Sequence, residues 1–197
     1  MLRRARPKRE KNSEMQIAAM FITGPSDKIF TMNELEKLAQ QLGAALLARG
    51  EWLTAAESCT GGWLAQSVTA IAGSSAWFER GFVTYSNAAK VDMLGVPETT
   101  LERHGAVSEA TARAMAQGAL AHSRADWSVA ITGVAGPTGG TKEKPVGTVC
   151  FAWAAKEGGC EAQMVHFNGD RAAVREQSVR YALLGLLERL AGSSLLA

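Results

Sequence analysis

Apolar residues recur at helical spacing from residue 35 onward: Leu35, Leu38, Ala39, Leu42, Ala45 and Leu46 fall on one face. Thr31 and Glu34 ahead of them have the spacing of a capping box, and Gly50 supplies a stop. Residues 51–57 read as a strand, Ser58 to Gly62 as a turn, and residues 63–71 as a helix. β-Formers at 81–85 predict a second strand, and residues 87–94 a short helix stopped by Gly95 and Pro97. Ser108 is placed to cap a helix reaching about residue 123, with Ala112, Met115, Ala116, Ala119 and Leu120 as its apolar stripe. A strand at 127–132 is followed by a loop at 133–145 that holds four glycines and two prolines. Strands at 148–154 and 162–167 flank Lys156-Glu157-Gly158-Gly159, a connection short enough for a hairpin and so for one antiparallel pair. Asp170 caps a last helix ending near Leu190. Strands alternating with helices predict a three-layer α/β/α sandwich around a mixed, mostly parallel sheet.

Charge divides the chain in two. Residues 1–11 hold six basic side chains and one acid, leaving 15 basic and 18 acidic residues in the remainder of a 197-residue chain whose net charge is +2. We therefore expect residues 1–31 to form a flexible basic tail and residues 32–197 a single domain. A domain that is net negative has no general attraction for nucleic acid, so no nucleic-acid partner is expected and any anion site must be local. The basic start followed by residues 15–22 imitates a signal peptide, but the apolar stretch is short and no small-x-small cleavage site follows. No run approaches the ~18 apolar residues of a membrane span. Cys59, Cys150 and Cys160 are odd in number and lack a C-x-x-C spacing, which predicts neither a disulfide framework nor a zinc cage and suits a reducing cytoplasm.

Three segments could carry chemistry. The first, Ala56-Glu57-Ser58-Cys59-Thr60-Gly61-Gly62, joins a strand to a helix. A nucleophile there would face unpaired amides that can hold an oxyanion, and two glycines would let a substrate approach the backbone. The same pattern also suits a plain turn in which Ser58 or Thr60 caps the helix. Cys59 is a rival nucleophile, with His104 as its possible base, although a small buried thiol is an ordinary core residue. The second is Tyr85-Ser86-Asn87-Ala88-Ala89-Lys90, where a desolvated lysine could take a serine proton and a tyrosine could orient it, or where Lys90 could simply be solvated. The third, Thr132-Gly133-Val134-Ala135-Gly136-Pro137-Thr138-Gly139-Gly140, follows a strand and could cradle phosphate or be a surface loop. Lys142, Lys144 and Arg171 could add charge to it. His104, His122 and His166 lack ligand spacing, so no metal is expected.

These segments, taken in order with Gly105-Ala106-Val107-Ser108-Glu109 and Lys144-Pro145-Val146-Gly147-Thr148, resemble the CinA C-terminal domain family over about residues 32–190. The resemblance implies an amidohydrolase of pyridine nucleotide recycling, which converts nicotinamide mononucleotide and water into nicotinate mononucleotide and ammonia. It implies no metal and no cofactor, a pyridine mononucleotide as the small-molecule partner, and a homodimer. Carried over residue by residue, it makes Ser58 the nucleophile and Lys90 the base with Tyr85 beside it. The backbone near Thr60 and Gly61 would form the oxyanion hole, Gly62 would bind substrate with them, and Thr132, Gly133, Gly136 and Arg171 would hold the nucleotide. Many members carry a further N-terminal domain resembling molybdopterin-binding proteins, and activities of that half do not transfer. The competing expectation is a non-catalytic nucleotide-binding or competence-associated interaction module.

Overall fold

The computed structural model describes residues 33–193, so the expected tail and Thr31 lie outside the described residues. The first helix, α1 (Glu34–Arg49), is capped by Asn33, whose side chain accepts the Glu36 amide while Glu36 returns to the Asn33 amide. Gly50 ends it in the left-handed conformation. There follow β1 (Leu53–Glu57), α2 (Trp63–Thr69), a 3-10 turn at Ser74–Ala76, β2 (Phe78–Val83), α3 (Asn87–Leu94), α4 (Glu98–His104) and α5 (Glu109–Ala121). The described residues finish with β3 (Trp127–Gly133), β4 (Thr148–Ala155), β5 (Cys160–His166) and α6 (Arg171–Ser193).

The five strands lie in the order β2-β1-β3-β4-β5. β1 pairs parallel with β2 and β3, whereas β4 is antiparallel to both β3 and β5. Four strands therefore run one way and β4 alone runs back, giving two antiparallel pairs where the hairpin signal implied one. The reason is legible in the chain: residues 134–147 between β3 and β4 contain no helix, and a parallel return needs a long crossover. β2 begins three residues before the expected strand and ends at Val83, so Tyr85 lies beyond it in the following loop. Helix α4 was not anticipated, because Pro97 reads as a stop. Here Pro97 is the N-cap, and a proline at a helix start sacrifices no amide that the helix needs.

The pleat sorts side chains by size. On one face Leu53, Trp127, Val129, Ile131, Val149, Phe151 and Trp153 form a bulky core with Leu42 and Leu46 of α1, Leu64 and Val68 of α2, and Leu183 and Leu186 of α6. The other face carries Ala56, Ala130, Cys150, Ala152 and Ala154, against Ala112, Met115, Ala116 and Ala119 of α5 and Leu94 of α3. Small residues let α5 lie close enough for the buried Ser128 hydroxyl to donate to the Ala116 carbonyl at 2.8 Å. Gly118 of α5 meets the end of α3 so closely that a Cβ there would sit 2.0 Å from the Leu94 carbonyl oxygen.

This layering sends the loops after β1 and β2 to opposite faces. The loop leaving β1 turns into α2 on the bulky face, while the loop leaving β2 turns into α3 on the alanine face. Neighbouring parallel strands whose connections diverge leave a crevice at their carboxyl ends.

Candidate active site

Ser58 is the first residue after β1, and its amide still follows the sheet, donating to the Ile131 carbonyl at 2.9 Å. The chain then turns sharply. The Gly61 amide donates to the Ser58 carbonyl at 3.0 Å, and Gly61 and Gly62 both take positive φ, 61° and 93°, which only glycine adopts without strain. Helix α2 starts at Trp63 without a side-chain cap from Gly62. Glu57 fills that role from the strand: its buried carboxylate accepts the amides of Gly62 (3.1 Å), Leu64 (3.1 Å) and Ala65 (2.8 Å). A negative charge at the amino end of a helix is favourable in itself. Neither Ser58 nor Thr60 caps the helix, which frees the serine hydroxyl.

Lys90 reaches that hydroxyl. It lies in the first turn of α3, which Ser86 caps by accepting the Ala89 amide at 3.0 Å. Its side chain is only 1% exposed, and Nζ stands 3.1 Å from Ser58 Oγ and 2.8 Å from the Thr84 carbonyl oxygen. Thr84 is held in turn by its amide, which donates to the Glu57 carbonyl at 2.8 Å. Burial therefore pulls the Lys90 amine below the ordinary lysine value of 10.5. A neutral amine at this position donates to the Thr84 carbonyl and accepts the proton of the Ser58 hydroxyl. The arrangement has the geometry that a nucleophile and its base require: a hydroxyl hydrogen-bonded to an amine that a third group orients.

The rival thiol is buried as well. Cys59 faces the bulky core, and desolvation pushes its thiol up to about 12, which leaves almost no thiolate. His104 ends α4, and its carbonyl accepts Lys144 Nζ at 2.8 Å, so Lys144 is committed there rather than to the glycine loop.

The remaining expected residues divide into two groups. Arg171, in the first turn of α6, donates from Nη1 to the Gly136 carbonyl (2.8 Å) and from Nη2 to the Tyr85 hydroxyl (2.9 Å). Helix, glycine loop and tyrosine are thus joined through one guanidinium. Tyr85 is 62% exposed and its hydroxyl is held by Arg171. Thr132 is buried and its hydroxyl donates to the Ala106 carbonyl at 2.8 Å, which makes it a tie between segments. Gly133 allows close approach to β4: a Cβ there would lie 2.8 Å from the Thr148 carbonyl oxygen. Gly61 and Gly62 have their amides engaged within the turn, so among the described residues the Thr60 amide is the one in this loop beyond Cys59 that donates to no protein acceptor.

Two side chains escaped the sequence reading. Glu57 stood inside the first motif but offered no chemistry until its three amide contacts were seen. Arg175 lies one turn beyond Arg171, and its guanidinium donates to the carbonyls of Cys59 (3.1 Å) and Thr60 (2.7 Å) while lying over the Trp63 ring. The i, i+4 spacing of the two arginines could have flagged it.

A cleft of about 460 Å³ between Trp127, Trp153 and Arg189 opens at the far end of the strands from Ser58 and holds no paired nucleophile and base. Among the described residues no three His, Cys, Asp or Glu side chains cluster to hold a metal, and no helix is long and apolar enough to cross a membrane.

A sequence model of the CinA C-terminal domain matches residues 35–190. The nicotinamide-nucleotide amidohydrolase PncC of Escherichia coli strain K12 is 58% identical over 159 residues, which are 81% of this chain and 96% of that protein. The nicotinamide-nucleotide amidohydrolase PncC of Pseudomonas putida is 50% identical over 157 residues, 80% of this chain and 98% of that protein. Among solved structures, the competence/damage inducible protein CihA of Agrobacterium tumefaciens superposes with a TM-score of 0.77 at 47% identity, covering 81% of this chain and 97% of that one.

Proposed function

The chain belongs to the CinA C-terminal domain family, and from that premise we propose that it is an amidohydrolase that deamidates nicotinamide mononucleotide in pyridine nucleotide recycling. The observation that carries this reading is the buried Lys90 amine 3.1 Å from Ser58 Oγ at the mouth of the sheet. A carboxamide is a weak electrophile, and its hydrolysis needs both an activated nucleophile and a stabilised oxyanion.

Ser58 Oγ attacks the amide carbon as its proton passes to neutral Lys90, and the carbonyl oxygen becomes an oxyanion held by the Thr60 amide. Collapse breaks the C–N bond, and Lys90 gives its proton to the departing nitrogen, which leaves as ammonia. Water then attacks the acyl ester, passes a proton to Lys90, and the Ser58 oxygen leaves and recovers it. The product is nicotinate mononucleotide.

Arg171, Tyr85 and the Gly136 loop surround the nucleotide end, and holding a remote phosphate orients the amide for attack. Thr132 and Gly133 serve the site by anchoring that loop. The same reading has the enzyme act as a homodimer without metal or cofactor, in the cytoplasm, where free thiols stay reduced.

Ammonia release from nicotinamide mononucleotide tests the proposal. The wild type is expected to turn over, Ser58→Ala to fold with an unchanged melting temperature and release none, and Cys59→Ala to retain activity. Turnover by Ser58→Ala at near wild-type rate would remove the serine mechanism. A thermal shift with the nucleotide but no turnover by the wild type would favour the interaction-module alternative.

A further inference from the structure

The turn that follows Ser58 has a defined weak point. Its closing bond runs from the Gly61 amide to the Ser58 carbonyl, so the Cys59–Thr60 peptide is the central peptide of a β-turn. That central plane is the one whose rotation distinguishes one turn type from another. Rotating it reverses the direction of the Thr60 N–H while leaving the closing bond intact.

One side chain opposes that rotation. Arg175 Nε donates to the Cys59 carbonyl at 3.1 Å, and Nη2 donates to the Thr60 carbonyl at 2.7 Å. In a trans peptide the C=O and N–H point in opposite directions. Holding the Cys59 carbonyl from the α6 side therefore sends the Thr60 N–H the other way, and holding the Thr60 carbonyl does the same for the Gly61 N–H, which is found on the Ser58 carbonyl. A planar guanidinium suits two successive carbonyls, and its charge polarises both peptides so that their amide ends become more positive. Trp63, the first residue of α2, backs the guanidinium with its ring at 5.2 Å, and Glu57 fixes the amides of Gly62, Leu64 and Ala65 from within. The loop is thus gripped by a cation on its carbonyls and an anion on its later amides.

We propose that Arg175 is a positioning residue of the reaction: its fork on the Cys59 and Thr60 carbonyls aims the Thr60 amide as the donor to the oxygen of the scissile amide. Arg175 itself touches neither Ser58 Oγ nor Lys90. The inference rests on the amidase reading above, because an oxyanion donor has meaning only if Ser58 attacks a carbonyl.

The test is steady-state ammonia release from nicotinamide mononucleotide by the full chain as wild type, Ser58→Ala, Arg175→Lys and Arg175→Ala, with melting temperatures for each. Losing an aimed oxyanion donor lowers kcat by roughly 100-fold, so Arg175→Ala should fall by about that factor with KM within about threefold of wild type. Arg175→Lys keeps the charge and the contact with Trp63 but cannot span two carbonyls, and should lie between the two. Free guanidinium at non-denaturing concentration should restore part of the kcat of Arg175→Ala in a saturable manner and leave Ser58→Ala inactive. Variants within about twofold of wild type in kcat overturn the inference, by the same scale. So does a rise in KM at constant kcat, which would make Arg175 a substrate anchor, and so does an unrescued loss with a lowered melting temperature in both variants, which would make it structural. A wild type that releases no ammonia refutes the amidase reading and this inference with it, an outcome distinct from an active wild type with unaffected variants.

Discussion

Replacing Lys90 by methionine removes the amine and leaves a side chain of similar length and shape in the same buried space. Two contacts go with it, 3.1 Å to Ser58 Oγ and 2.8 Å to the Thr84 carbonyl oxygen. General-base assistance contributes roughly 10²–10⁴ in rate, which at 1.36 kcal/mol per decade is about 3–5 kcal/mol of barrier. We expect kcat for ammonia release to fall by roughly that factor while KM changes little, because the proton moves only in the transition state. The pH profile carries the same argument. Desolvation lowers the Lys90 pKa, so the neutral, competent form is populated below the ordinary 10.5. The activity of the wild type should rise with pH and level off before that value. The linked stability has the same sign: the unfolded lysine holds its proton more tightly than the folded one. Stability from this group therefore increases as pH climbs from the lowered folded value to 10.5 and is constant above it. Lys90→Arg separates a base from a mere cation, since a guanidinium stays protonated throughout. Activity in Lys90→Arg close to that of the wild type, or a wild-type activity that rises only at or above 10.5, would refute the reasoning.

Further outcomes follow from the same contacts. Glu57→Gln replaces a carboxylate that accepts three amides with a group that has one acceptor oxygen and an NH₂ facing donors; thermal unfolding should show a loss of about 2 kcal/mol. Gly118→Ala forces a Cβ onto the Leu94 carbonyl at the end of the helix that carries Lys90, and calorimetry should register about 1–3 kcal/mol of destabilisation with a fall in kcat. Arg171→Ala breaks the link between Gly136 and Tyr85, and titration with nicotinamide mononucleotide should show weaker binding and a higher KM with a smaller change in kcat.

Much of the fold was legible because local rules and tertiary needs agree there. The stripe of α1, the left-handed stops at Gly50 and Gly95, the cap of α5 at Ser108 and the turn between β1 and α2 all appear where spacing and residue type put them. Short-range geometry determines these features: a glycine after an apolar stripe, or a serine three residues before an amide it can reach, needs no distant partner. The same reasoning was misled at Pro97, where a residue that stops one helix also starts the next.

By itself the sequence determined the alternation of strands and helices and the residue types at the mouth of the sheet, since both depend on neighbours a few positions away. Only the tertiary structure decided which of those residues meet. No local rule buries a lysine. Lys90 is buried because the loops after β1 and β2 diverge to opposite faces and bring residues 32 positions apart to 3.1 Å, and that burial lowers the pKa of the amine. Likewise Arg175 reaches the Ser58 turn from 115 positions away in the chain because α6 packs on the face from which α2 departs. Such contacts are set by how layers stack, and the free energy that fixes them comes from the whole core rather than from any segment that can be read alone.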